Sequence, residues 1–454
     1  MQSNDNSNSV DIMLGNPKKA LISMSIPLII SLLISSLYNL IDAAWVSGLG
    51  ADALAGVGFF TPIFMILIGF GNGLGAGSAF AISKYIGENN KLKADNASIH
   101  SILIDIIASV IITVSLFVLL VPILNAMGVD QTISYATDYG NIVVLGSIFI
   151  ILSNALYGIY RGEGDSTRPM YAMIASAILN MVLDPIFIYT LNMGVKGAAI
   201  ATLISAISVI LILLYWFYIK NDTYLKPVLS NFKYKKEIGF DIIKVGLPAS
   251  IQLLNNAFFA AVFSALLAFL SSTDSVAVYS TGWRIVIIGT TPILAIGTAL
   301  ISVIAANYGA KNYKNIQIAH RHAMKISIIF AFAVAILTNV FAGDIASIFA
   351  SSGSSVRIAS ELTSFLAWIV IYYPTMAVGV ASTYVFQGLG KGITAMFQTI
   401  MRETGFTIFF AVLLGVVLNY GVWGAWMGIV LGEIISNNIT LIWADWEIKK
   451  LLKK

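Results

Sequence analysis

Twelve apolar stretches follow one another along this chain, at residues 19–46, 53–83, 98–121, 133–158, 169–191, 197–219, 241–270, 276–306, 319–342, 360–387, 393–418 and 422–444. About 20 apolar residues cross a bilayer as a helix. Each stretch therefore reads as a membrane span, and the fold class as an all-α polytopic membrane protein. Only 11% of the 454 residues are charged and mean hydropathy is +0.87, where soluble chains carry about 25% charge. Met1 to Asp11 is polar and lacks the basic-then-apolar pattern of a cleaved signal. With no cysteine, disulfide, thiolate and Cys-based metal chemistry are excluded.

The connectors alternate between basic and nearly uncharged. Of the 26 Lys and Arg, Lys196 and Arg357 fall on one set, Arg284 lies inside a span, and all the others fall on the opposite set. The positive-inside rule places that basic set, both termini and the long 220–240 loop in the cytoplasm of a multi-pass cell-membrane protein.

The chain repeats itself. Pro27 and Pro248 are 221 residues apart, Gly87 and Gly309 222, and His100 and His322 222. Arg161-Gly162-Glu163-Gly164 resembles Gln387-Gly388-Leu389-Gly390, and Gly194-Val195-Lys196-Gly197-Ala198 resembles Gly421-Val422-Trp423-Gly424-Ala425. The reading is a polar tail (1–18), a six-helix N-lobe (19–219), a basic linker (220–240), a six-helix C-lobe (241–444) and a basic tail (445–454). Six spans per copy give two parallel bundles with pseudo-two-fold symmetry, a transporter design in which lobes rock about a central pathway. Pro27 and Pro248, in the first helix of each lobe, read as hinges.

A carboxylate inside a bilayer is costly and so seldom idle. Asp42 and Asp184 lie near the outer ends of the first and fifth spans, and the matching C-lobe positions fall near Phe263 and Phe410. The scaffold is duplicated but these charges are not, which makes them the first candidates for a working site. Asn180 shares a helix face with Asp184, and Pro185 loosens the helix beside it. Two such carboxylates can trade a proton, or hold Na⁺ with Asn180, Thr202, Asn154 and Tyr38 as the oxygen shell. Glu433 and Arg284 are secondary candidates, to pair with a counter-charge or line the cavity. Glu163, opposite Leu389 in the repeat, is a gate or a surface charge. Arg402 and Glu403 are adjacent and expected to point in different directions.

Gly69-Phe-Gly-Asn-Gly-Leu-Gly-Ala-Gly77 nearly matches a dinucleotide fingerprint, but no strand precedes it. It reads as a small-residue face for close helix packing. No P-loop is present, so ATP is not the driving force, and no metal cluster or nucleophile–base set points to an enzyme.

Four segments carry a family resemblance: Tyr-Asn-Leu-Ile-Asp-Ala-Ala-Trp-Val-Ser-Gly-Leu-Gly-Ala-Asp-Ala-Leu-Ala-Gly-Val-Gly-Phe (38–59), Tyr-Gly-Ile-Tyr-Arg-Gly-Glu-Gly-Asp (157–165), Leu-Asn-Met-Val-Leu-Asp-Pro-Ile-Phe (179–187) and Ser-Thr-Gly-Trp-Arg (280–284). Over nearly its whole length the chain resembles the multidrug and toxic compound extrusion (MATE) family, in its DinF-like archaeal-type branch. The resemblance implies a monomeric antiporter in membrane lipid that exports small, cationic amphipathic compounds and xenobiotics outward in exchange for H⁺ or Na⁺, without cofactor, ATP or nucleic acid. It also implies coupling at Asp42 and Asp184, in a cavity lined by Tyr38, Asn154, Asn180 and Thr202. Another branch uses acids in the seventh and tenth helices. Here the seventh holds only Gln252, Asn255 and Asn256, and the tenth only Glu361 at its edge. The competing expectation is a lipid-linked precursor flippase of the related MOP superfamily, which needs cationic groups for phosphate.

Overall fold

The computed structural model describes residues 8–129, 132–271, 273–349 and 357–453. Every regular element among them is helical: α1 (Asn8–Leu14), α2 (Pro17–Ser47), α3 (Ala51–Gly87), α4 (Lys91–Ala126), α5 (Ile133–Leu145), α6 (Ser147–Gly162), α7 (Thr167–Pro185), α8 (Val195–Leu214), α9 (Lys236–Leu270), α10 (Thr273–Gly309), α11 (Tyr313–Val340), α12 (Ala342–Phe349), α13 (Ala359–Ile369), α14 (Tyr372–Gly388), α15 (Gly392–Ile400), α16 (Thr407–Val412) and α17 (Gly421–Leu452). Among the described residues, ten helices are long and apolar enough to span a membrane. Two more spans are each a bent pair, α5 with α6 at 51° and α13 with α14 at 49°. These are the twelve stretches of the sequence, with the fourth and tenth broken rather than straight.

The breaks have local causes. A side chain at Gly146 would collide with Leu203, so α8 presses into the α5–α6 junction. Pro374 has no N–H for the Val370 carbonyl, where α13 gives way to α14. Elsewhere helices start at side-chain caps. Asn16 accepts from the amides of Lys18 and Lys19, with Pro17 in the first turn, and Asn90 accepts from Lys93.

The repeat is visible in the backbone. Left-handed residues occur in matched pairs: Asn89 with Lys311, Gly164 with Gly390, Asn192 with Asn419, and Gly194 with Gly421. The π-helical segment Ile186–Thr190 has its counterpart in Leu413–Val417. The tails are more ordered than a polar-tail reading suggests. α1 buries Val10 and Met13, and α17 continues through the basic end because Ile448 and Leu451 are buried while Lys449 and Lys450 suit a helix C-terminus. The outermost tail residues, 1–7 and 454, lie outside the described residues.

The two halves meet at the end that carries the termini. There α3 packs on α9, and α10 on α2 and α3. The glycine stretch makes this approach possible. Side chains at Gly73 and Gly77 would strike Ser250 and the Ile242 carbonyl of α9, while those at Gly71 and Gly75 would press on Asn154 of α6. The stretch is thus two small-residue faces on one helix, as the packing reading expects. A β-carbon at Gly69 would lie 3.5 Å from Leu253, the last of these approaches moving away from the termini. The buried positions of α2 run from Pro17 only to Ser31, with Val46 alone beyond. One half of that helix is therefore clamped at the seam, and the other is held within the first half, mainly against α7.

Candidate functional site

Four helices of the first half converge on one buried polar pocket, to which α2 brings Tyr38 and Asp42, α5 Tyr139, α7 Asn180 and Asp184, and α8 Thr202. Asp184 is fully buried, Asn180 and Thr202 are buried, and Asp42 and Tyr38 are half-buried. The carboxyls of Asp42 and Asp184 stand within hydrogen-bonding reach of each other. The Tyr38 and Tyr139 hydroxyls reach Thr202, which donates to the Ala198 carbonyl at 3.1 Å. A bond between two carboxyls needs a proton on one of them. Counted as two anions, Asp42 Oδ1 and both Asp184 oxygens have no partner, and neither does either amide atom of Asn180. Among the described residues no three of His, Cys, Asp or Glu gather as a metal cluster. A cation here would rest on two carboxylates and the neutral oxygens of Asn180 and Thr202.

Local sequence builds the pocket. Pro185 deprives Met181 of its backbone donor just past Asp184, and the chain continues as the π segment Ile186–Thr190. From that segment Tyr189 donates to the Trp45 carbonyl at 2.5 Å, and the two rings meet edge-on at 6.2 Å. This contact ties the far end of α2 to the end of α7. Asn154 has other work: its amide donates to Ile150 at 2.9 Å and its side chain packs on Gly71. Tyr139 was missed by sequence reasoning. Its signal was depth, since it lies six residues into α5 from the same end at which Asp42 lies five residues from the close of α2.

The second half holds a different constellation. Arg402 donates to Glu403 at 2.7 Å and lies 3.7 Å from Glu433, to which Asn437 donates at 2.7 Å. Adjacency on a regular helix would separate Arg402 and Glu403, and that expectation fails because Met401–Phe406 is a π segment. Its wider turn keeps both charges on the inner side, and Thr407 bonds the Arg402 carbonyl at 2.9 Å. Glu433 is thus paired structurally. Arg284 is exposed and makes no ion pair among the described residues.

At the termini end, Glu163 is no surface charge: it is 2% exposed and accepts from the Leu225 amide at 3.0 Å. Burial, reinforced by Asp165 nearby, pushes its carboxyl up to about 8 despite that hydrogen bond. Beside it Arg168 bridges Asp165 and Asp222, fastening the linker to α7. Arg161, counted in the sequence among the connector cations, is buried and has no ion pair among the described residues.

The MatE family model matches this chain twice, over residues 27–186 and 248–420. The multidrug export protein MepA of Staphylococcus saprophyticus is 27% identical over 88% of this chain and 85% of its own. An outward-facing multidrug resistance MATE family transporter of the MOP superfamily superposes with a TM-score of 0.95 at 36% identity, over 98% of this chain and 99% of that one. A MOP superfamily transporter from Pyrococcus furiosus, whose reverse binding-pocket polarity suggests a different function, matches with the same score, identity and coverage.

Proposed function

This chain belongs to the MatE family of transporters, and on that premise we propose that it is a multidrug efflux antiporter exchanging organic cations for H⁺ or Na⁺. The termini face the cytoplasm in this reading, so the closed seam lies on that side and the halves part toward the outside. The observation that carries it is the carboxyl contact between Asp42 and Asp184 in a buried pocket. Two anions that close repel strongly where the dielectric is low, and a proton or a Na⁺ between them removes the repulsion. Occupancy of the pocket therefore sets how tightly α2 holds to α7. Beyond Ser31 α2 leaves the seam and is held mainly to α7, so its outer half follows that hold, with Pro27 as the pivot. Ser31 donates to the Pro27 carbonyl at 2.8 Å, a back-bond that favours bending. Pro248 is the corresponding pivot in the second half. Binding of the coupling ion and of the exported compound then compete through the position of one helix.

Reconstitution in liposomes tests this, with a proton or a sodium gradient imposed separately while one fluorescent cation is followed. Transport should run on one of the gradients and fall to background in Asp42→Asn and Asp184→Asn. Full gradient-driven transport in both variants overturns the assignment. One observation favours the flippase reading instead: Arg161, buried without a carboxylate, suits a phosphate. Binding of a polyprenyl diphosphate that is lost in Arg161→Gln would move the conclusion there.

A further inference from the structure

We infer that the second half carries its own ligand site, in which Glu403 receives the protonated amine of an organic cation. The inference rests on the reading that such cations are what the protein moves, and it adds where they dock.

The first support is position. The last small-residue contact across the seam is Gly69 with Leu253 and Leu254 of α9. Asn256 follows two to three residues on and is exposed. With its amide nitrogen turned inward, Asn256 donates to Glu403 at 2.5 Å and to the Gln252 carbonyl at 3.1 Å, and Asn255 donates to Glu403 at 3.0 Å. Glu403 therefore lies behind an exposed amide where the halves begin to part. Its side chain is 15% accessible against 9% for Arg402 and 3% for Glu433, so it is the charge of the three that a ligand can reach.

The second support is charge. One guanidinium stands between two carboxyls, so with both ionised one negative charge is uncompensated in an apolar setting. Such a deficit is costly unless a cation fills it. The third is a set of donors without acceptors: Nε2 of Gln252 and Nη1 of Arg402, on side chains more than nine-tenths buried, have none. Gln252 already takes a bond from Gln387 at 2.9 Å through its oxygen, so its nitrogen is left over. A ligand with a carbonyl or ether oxygen beside its amine satisfies both kinds of group. Tyr279 and Tyr372 lie within Coulombic reach of Glu403. Trp283 lies between them, tilted against Tyr279 at 5.5 Å and edge-on to Tyr372 at 5.3 Å, an aromatic cluster of the kind that attracts a cation.

The repeat supplies an internal control. The first-half counterparts of Arg402, Glu403, Glu433, Asn437, Asn255 and Asn256 are Ala175, Ser176, Ala206, Ile210, Ile34 and Ser35. α7 is regular where Met401–Phe406 is π. The scaffold folds without these groups in its first copy, so the second copy holds them for another purpose. Each half thus carries, within its spans, a carboxyl pair whose counterpart positions in the other half are uncharged.

The test is binding of rhodamine 6G, a cation with N–H groups, and of neutral Nile red to the purified full-length protein in nanodiscs. Glu403→Gln leaves Arg402 balanced by Glu433, so the fold should hold. It should weaken rhodamine 6G about tenfold and leave Nile red unchanged. Asn256→Arg, at an exposed position, should block the carboxylate and weaken rhodamine 6G to a similar degree. Unchanged rhodamine 6G binding in either variant, or an equal loss of both dyes, overturns the site. If the wild type binds Nile red but no rhodamine 6G, the organic-cation reading falls and the site with it. Asp184→Asn separates the two ideas: loss of gradient-driven transport there with unaltered dye binding in Glu403→Gln keeps the antiport reading and removes this one.

Discussion

Lys84 of α3 reaches Asp241 of α9 at 2.7 Å, across the seam between the two halves. Tyr85 donates to the same carboxylate oxygen at 2.7 Å, and Lys244 holds the other at 2.5 Å. Asp241 is 3% exposed, so two ammonium groups and a phenol depend on one buried anion. Removing that anion leaves two lysines facing each other, and breaking a buried pair costs about 3–5 kcal/mol. Asp241→Asn should open the seam. The natural chain has no cysteine, so spin labels at Glu88 and Asn312 report the distance cleanly. A broadened, longer distribution is expected, and a distribution identical to wild type would mean that the seam is held by packing alone.

The packing itself gives a second prediction. A β-carbon on Gly77 would meet the Ile242 carbonyl, a backbone atom with nowhere to go, whereas nothing lies near one on Gly58. Gly77→Ala should destabilise the closed seam by about 1–3 kcal/mol, as overpacking does. Gly58→Ala, with open space and a helical backbone, should be neutral or slightly stabilising. Thermal melts of the two variants in the same detergent check the contrast. Equal melting temperatures would remove the glycine face from the account.

The sequence showed the scaffold and marked the first-half candidates because both are written in features that survive without coordinates. Long apolar stretches declare spans, and an aspartate inside one is conspicuous because its solvent is wrong. Glu403 and Arg402 were harder to read, since adjacency says they diverge and only the π turn reverses that. Arg161 and Glu163 sat in what looked like a cytoplasmic turn. Their burial comes from tertiary packing against the linker and α3, which no local pattern encodes. Tyr139 was hidden for the opposite reason: a tyrosine in an apolar span is unremarkable until its hydroxyl is seen to reach Thr202. The bends at Gly146 and before Tyr372 depend on what α8 and Pro374 do locally, and hydropathy is blind to both.

Pro27 yields a third prediction, for transport rate. Pro27→Ala restores a backbone donor to the Ser23 carbonyl and stiffens α2 close to where its burial ends. If α2 pivots there, turnover of a gradient-driven fluorescent cation should fall severalfold, while affinity for that cation in the resting protein changes little. Pro248→Ala serves as the comparison, because beyond its proline α9 keeps buried positions at Gln252, Phe259, Phe263 and Leu267, where α2 has only Leu28, Ser31 and Val46. A larger effect at Pro248 than at Pro27 would place the pivot in the other half.

Glu163 provides a pH prediction whose sign follows from its burial. Its carboxyl is held protonated up to about 8 in the folded protein, well above the ordinary value of about 4.3 for an exposed glutamate. Between those values the folded state binds the extra proton, so stability falls as pH rises. The contribution is fully present below the ordinary carboxyl range and is lost as pH passes through about 8. The segment that should respond is the linker, because Glu163 takes the Leu225 amide while Arg168 holds Asp222 and Asp95 takes the Lys226 amide. Ionising Glu163 strengthens one hydrogen bond but buries an anion without a cation of its own, and the desolvation cost is the larger effect. Hydrogen exchange at Leu225 and its neighbours should therefore quicken between pH 6 and 9 beyond the intrinsic rise in exchange rate. Glu163→Gln, which keeps the acceptor and cannot ionise, should abolish that excess. An excess of the same size in Glu163→Gln would assign the pH response to Asp95, Asp165, Asp222 or Tyr224 around it, and would return Glu163 to a purely structural role.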